Sequence, residues 1–335
     1  MTSKERLDFF TKGQKVDRRP NLTIVGSVVT QYNGITVEEY CKDWKKMAEG
    51  AIACARDCGL DYVQIASDLL REAEGYGTQI EFFPDKLPQA VKFAMEDISE
   101  VENMRSLKCR EIPRLYDLVL ATAYVAETVD EIYPMTICDG PVTVAANIRG
   151  TEDMILDMYD RPELVDKLLM MVTETSLDFI DELAAAGSKY VYIPDPVASI
   201  VGPEIYGSMV LKYHRMLIAR MKEHGIYGRL HMCGDTSTIL PFSSQSGAGI
   251  IDVDHAVDFS EALKSVEGRC IINGNIDPVS DVYLATEQHV YDSIMELGRN
   301  FGDRKCMFMP GCELPTTTKL ENVRAITRAL ESIGC

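Results

Sequence analysis

Gly228-Arg-Leu-His-Met-Cys-Gly-Asp235 is a short run that begins at one glycine and ends at another followed by an aspartate. Read as a strand, it puts His231 and Cys233 two residues apart, so both side chains leave the same face. A third group, Cys312, lies far downstream in Met309-Pro-Gly-Cys-Glu-Leu-Pro315. One imidazole and two thiolates suit a catalytic zinc, which keeps one position open for water or substrate. Glu313 or another carboxylate is a further candidate for that position.

Working outward, the same pattern recurs: a short apolar or β-branched run, a polar end, then a helical stretch. Strands are expected at 22–30, 62–66, 133–138, 190–193, 228–232, 250–255, 270–274 and 306–310. Helical spacing fills 36–58, 113–128, 151–186, 203–224 and 318–334. Thr36-Val-Glu-Glu39 forms a capping box, and Gly59 ends the first of these helices. Residues 1–20 form a polar helical extension closed by the turn Asp17-Arg-Arg-Pro20. Residues 69–110 are irregular, hold Pro84 and Pro88, and read as a long insertion over one end. Alternating βα units imply a parallel sheet, and eight of them in one domain over 1–335 imply a (β/α)8 barrel. An open doubly wound sheet is the competing fold. It is disfavoured because no G-x-G-x-x-G follows the first strand.

A formal net charge of −18 excludes nucleic acid and anionic membranes as main partners. It suits a protein partner with a basic face. The first residues carry charge and lack a signal peptide's apolar core, so a cytoplasmic protein with reduced cysteines is expected. A homodimer is compatible with the sequence and not required by it. Of the ten cysteines, Cys54 and Cys58 read as one helix face, Cys138, Cys270 and Cys306 as core, and Cys335 as an exposed terminus. Asp195, held between two prolines at a strand end, is expected to orient a zinc ligand or substrate, or to cap a loop. His255 is a candidate acid–base or supporting group. His214, His224 and His289 read as helix-surface residues. Polar strand ends, from Ser67-Asp68 to Gly311-Cys-Glu313, are expected to face one mouth.

Five segments now take on a familiar order: Asp139-Gly-Pro-Val-Thr143, Asp195-Pro-Val-Ala-Ser199, His231-Met-Cys-Gly234, Asn273-Gly-Asn-Ile-Asp277, and Pro310-Gly-Cys312 with Leu320-Glu-Asn-Val323. Together they resemble the uroporphyrinogen decarboxylase superfamily, and within it the methylcobamide:coenzyme M methyltransferase branch. That resemblance implies a (β/α)8 barrel, zinc held by His231, Cys233 and Cys312, and a partner protein carrying a corrinoid (cobalamin). The decarboxylases carry an arginine-rich segment after the first strand. Here it reads Gly26-Ser-Val-Val-Thr-Gln-Tyr-Asn33, without arginine, so decarboxylation is not expected. Glu313 stands where methanogen-type relatives carry a smaller residue. That departure favours a methoxylated aromatic donor, demethylated at oxygen, over a thiol acceptor. Tyr62, Tyr76, Tyr192 and Met309 near strand ends agree with an aromatic ligand. The thiol methyltransferase is the alternative, and a non-catalytic ligand-binding barrel is the reading from outside enzymology.

Overall fold

A computed structural model describes residues 1–334. Seven parallel strands form one sheet in the order β1 (Tyr62–Ile65), β4 (Tyr133–Ile137), β5 (Tyr190–Pro194), β6 (Tyr227–His231), β7 (Ile250–Asp252), β8 (Ile271–Ile276) and β9 (Cys306–Pro310). Between β1 and β4 a separate antiparallel hairpin, β2 (Gln79–Glu81) and β3 (Gln89–Lys92), lies within the expected insertion. Helices connect the parallel strands, and the sheet curls as in a (β/α)8 barrel.

The expected first strand at 22–30 joins no ladder; its second half winds into a 3-10 turn, Gly26–Val29. Residues 21–25 nevertheless fill the gap between β1 and β9. The Asn21 carbonyl accepts from Asp61 N at 3.0 Å, and the Ile24 carbonyl accepts from Leu314 N at 3.0 Å. Side chains take several other backbone groups. Tyr62 Oη donates to the Thr23 carbonyl at 2.8 Å, and Gln64 Oε1 accepts from Val25 N at 2.9 Å and Gly26 N at 3.2 Å. The segment is buried, but its backbone partners are isolated and side chains take several of its groups, so a strand ladder does not form.

Two expected helices break. The stretch 36–58 divides at Asp43, whose carboxylate caps Trp44–Cys58 by accepting from Lys45 N and Lys46 N. The stretch 151–186 divides into Thr151–Asp160 and Pro162–Ala185 because Pro162 forces Arg161 out of the helical region (φ −140°, ψ 53°). A further helix, Pro141–Arg149, follows β4. At the opposite end from the polar loops, Asp61 takes Arg6 Nη1 at 2.5 Å and Arg18 Nη1 at 2.6 Å, pinning the N-terminal helix Ser3–Thr11 beneath β1. No helix among the described residues is long and apolar enough to cross a membrane.

The barrel interior is packed around a charge. Arg229 is fully buried, lies 4.9 Å over the Tyr192 ring, and meets Met309 Sδ at 3.3 Å and Met135 Sδ at 3.8 Å. Residues from β4, β5, β6 and β9 thus meet around one guanidinium.

Candidate metal centre

On a flat sheet, the ends of β6 and β9 would stand three strand spacings apart, about 14 Å. Here Cys233 Sγ and Cys312 Sγ are 3.2 Å apart, because the curled sheet brings the two ends together across its mouth. His231 Nε2 lies 3.1 Å from Cys233 Sγ and 3.6 Å from Cys312 Sγ. The three donor atoms fall within 4.8 Å of one another. One nitrogen and two sulfurs converging from three sides form a soft donor set that fits zinc and leaves a fourth direction open.

The imidazole is held from below. Asp252, in register with His231 on the neighbouring strand, takes its Nδ1 at 3.1 Å, which leaves Nε2 directed at the sulfurs. Asp252 is itself fixed by Arg229 Nε at 2.9 and 3.0 Å and by Asn273 Nδ2 at 2.7 Å. Burial opposes charge on His231, but Asp252 and the Cys312 sulfur outweigh it and raise its pKa to about 9. The two thiols share a proton unevenly. The hydrogen bond to Cys312 pushes Cys233 upward; the same bond, aided by His231, lowers Cys312.

The three donors sit at the base of a cavity of about 480 Å³. Ile137, Tyr192, Pro194 and Val197 form its apolar wall, and Leu69, Leu70, Leu87, Pro88 and Phe93 its rim. The rim confirms that segment 69–110 shapes the mouth. Glu313 lines the cavity beside Cys312, and its carboxylate lies flat on the backbone at Gly26. A Cβ there would stand 1.8 Å from Glu313 Oε1, and φ at Gly26 is +47°. Burial and the neighbouring Cys312 raise the Glu313 pKa to about 7.

The sequence profile of the uroporphyrinogen decarboxylase (URO-D) family matches residues 2–333. The chain belongs to that family. Among its relatives, the methylcobamide:CoM methyltransferase MtbA of Methanosarcina acetivorans is 26% identical, covering 99% of this chain and 98% of that protein. A methylated-thiol–coenzyme M methyltransferase of Methanosarcina mazei is 27% identical, covering 98% and 89%. The uroporphyrinogen decarboxylase of Pelobacter propionicus is 23% identical, covering 96% of each. A solved methyltransferase structure from Methanosarcina mazei superposes with a TM-score of 0.90 at 21% identity, covering 99% of both chains, which establishes the shared fold.

Within this URO-D fold, the expected polar strand ends divide. Ser67, Asp68, His231, Cys233, Cys312 and Glu313 reach the cavity. Asp195 does not. It is fully buried and accepts from Thr143 N at 2.9 Å, Thr143 Oγ1 at 2.7 Å and His214 Nε2 at 2.9 Å, tying β5 to two helices. The carboxylate that contacts the candidate ligand His231 is Asp252. His214 is buried in that contact, not on the surface, whereas His224 and His289 are exposed. His255 is half-exposed at the rim, paired with Asp254 at 2.5 Å, and does not line the cavity. Asp254 supports the centre indirectly by accepting from Gly234 N at 2.7 Å, just past Cys233. Of the four aromatic and methionine candidates, Tyr192 reaches the cavity, Tyr62 and Met309 pack inside the barrel, and Tyr76 is half-buried against Thr175 and does not line the cavity. Cys54, Cys58, Cys138 and Cys306 are buried and Cys270 half-buried, as core readings require; Cys335 lies outside the described residues.

Asp252 and Arg229 went unremarked in the sequence, although each carried a signal. Arg229 shares the face of His231 two residues earlier, and Asp252 interrupts the apolar run Ile250-Ile-Asp-Val253.

Proposed function

We propose that this chain is a zinc-dependent methyltransferase that moves a methyl group between the corrinoid of a partner protein and a small thiol. The convergence of His231 Nε2, Cys233 Sγ and Cys312 Sγ at 3.1 to 3.6 Å on the floor of an open cavity carries this reading. The relatives' names, which specify methylcobamide and methylated-thiol chemistry, support the thiol acceptor over the methoxylated aromatic. The absence of lysine and arginine among the described cavity residues argues against a polyanionic porphyrin, and so against decarboxylation.

His231, Cys233 and Cys312 would hold the ion. Bound there, zinc would lower the pKa of an incoming thiol so that thiolate is present near neutral pH. Asp252 keeps the imidazole proton on Nδ1, and Arg229 and Asn273 hold Asp252 in place. Ile137, Tyr192 and Pro194 keep bulk water from the reacting atoms. In the transfer, a lone pair of the thiol sulfur forms the S–CH3 bond as the Co–CH3 bond breaks. The corrinoid of the partner would keep the Co–C electron pair, and the thiol proton would be released. This in-line displacement requires the corrinoid face above the cavity. The rim of segment 69–110 would receive it, with Val91 and Phe93 exposed there.

Zinc-loaded protein mixed with methylcobalamin and a small thiol should yield the methyl thioether and cob(I)alamin. Cys312→Ser should abolish both. Release of phenol from a methoxyphenol in the presence of cob(I)alamin, without thioether formation from any thiol, would restore the O-demethylation reading. Ligand binding with neither reaction would favour a non-catalytic barrel.

A further inference from the structure

The cavity offers an anion no counter-charge. Apart from the His231, Cys233 and Cys312 donors, its ionisable carboxylates are Asp68 and Glu313, and among the described residues no lysine or arginine lines it. The nearby guanidiniums are engaged elsewhere. Arg114 pairs with Asp68 and with Glu74, at 2.9 Å for the latter. Arg71 donates to Ser67 Oγ at 2.6 Å and to the Cys41 carbonyl at 3.1 Å. Arg229 is buried beneath His231 and paired with Asp252 at 2.8 Å. The helix Thr151–Asp160 opens its N-terminus near the mouth, where Thr151 lines the cavity, but Glu152 and Asp153 occupy its first turn.

The metal does not change this balance. Zn2+ held by two thiolates and a neutral imidazole has no net charge, and a third thiolate makes the assembly anionic. Asp68 is neutralised by Arg114, which leaves the Glu313 carboxylate, seated on Gly26 beside Cys312, without a cationic partner. A net charge of −18 adds a repulsive field at longer range.

We propose that the acceptor is a small thiol whose far end is an ammonium or hydroxyl group, received by Glu313, and that the site discriminates against thiols ending in sulfonate or carboxylate. This rests on the thiol reading above and separates this chain from relatives named for coenzyme M, whose far end is a sulfonate. A desolvated anion set beside Glu313 and a metal-bound thiolate is penalised as a like-charge contact.

The test compares cysteamine, 2-mercaptoethanol, 3-mercaptopropionate and 2-mercaptoethanesulfonate as acceptors from methylcobalamin, with the zinc protein at about pH 8. Each rate is corrected for the thiolate fraction of its thiol. Cysteamine and mercaptoethanol should exceed the two anionic thiols in kcat/KM by about ten-fold or more. Glu313→Gln should narrow the gap between cysteamine and the sulfonate by about three-fold or more. Affinities from the thiolate-to-cobalt absorption of Co(II)-substituted protein should follow the same order. If that order holds while no thiol is methylated, the charge preference stands and the turnover reading fails. An anionic thiol that equals or surpasses cysteamine, a ratio unmoved by Glu313→Gln, or no thiol-induced absorption change overturns the proposal.

Discussion

Asp252 joins two roles that pull apart under mutation. It orients His231 for a metal, and it is the counter-ion of the buried Arg229. Asp252→Asn should cost about 3–5 kcal/mol in chemical denaturation, because Arg229 remains buried without its partner. Adding Arg229→Met should recover most of that stability but not the zinc affinity, which should stay about 10–100-fold weaker in a chelator competition. Glu72 poses the opposite problem. It is fully buried, has only the Ser176 hydroxyl at 3.4–3.5 Å, and burial, with Asp139 nearby, raises its pKa well above the carboxylate range. A carboxyl raised on folding holds its proton more tightly when folded. Its contribution is complete below the unfolded pKa near 4 and declines as pH rises toward the folded value, by up to about 1.4 kcal/mol per pH unit. Glu72→Gln should therefore flatten the fall of Tm between about pH 5 and 8. A parallel pH–Tm profile in the variant would contradict this. The candidate ligands were legible residue by residue because H-x-C and P-G-C stand out. Asp252 and Arg229 were not, since a charge inside an apolar strand gains meaning only from the neighbouring strand's register.

The alternation of strands and helices was readable because strand ends carry turn residues and helices carry caps. What escaped was where a cap serves two helices. Asp43 ends Val37–Lys42 in an extended conformation and starts Trp44–Cys58 with the same residue. Asp43→Ala should lower stability by about 1 kcal/mol and leave zinc content unchanged, as read by denaturation and metal analysis on one preparation. Residues 22–25 carry a strand's composition, but Tyr62 and Gln64 use side chains where a ladder would use backbone. No sequence pattern distinguishes the two, because the substitution depends on which side chains face the gap.

For the whole molecule, barrel closure turns a local spacing into a site. His231 and Cys233 share one strand end, whereas Cys312 is 79 residues beyond Cys233 and reaches it only because β6 and β9 converge. Alternation implied closure, so the third ligand could be proposed from the sequence. That Asp252, and not Asp195, lies against His231 required the sheet order, since both are aspartates near strand ends. The account stands on the claim that these three residues hold one metal ion. Metal analysis of the purified chain, with Cys233→Ser and Cys312→Ser beside it, tests that directly. The predicted result is one zinc per chain in the parent and loss of zinc in both variants, with circular dichroism unchanged. A parent that stays metal-free when offered zinc, or a Cys312→Ser variant that retains zinc with undiminished affinity, would contradict it.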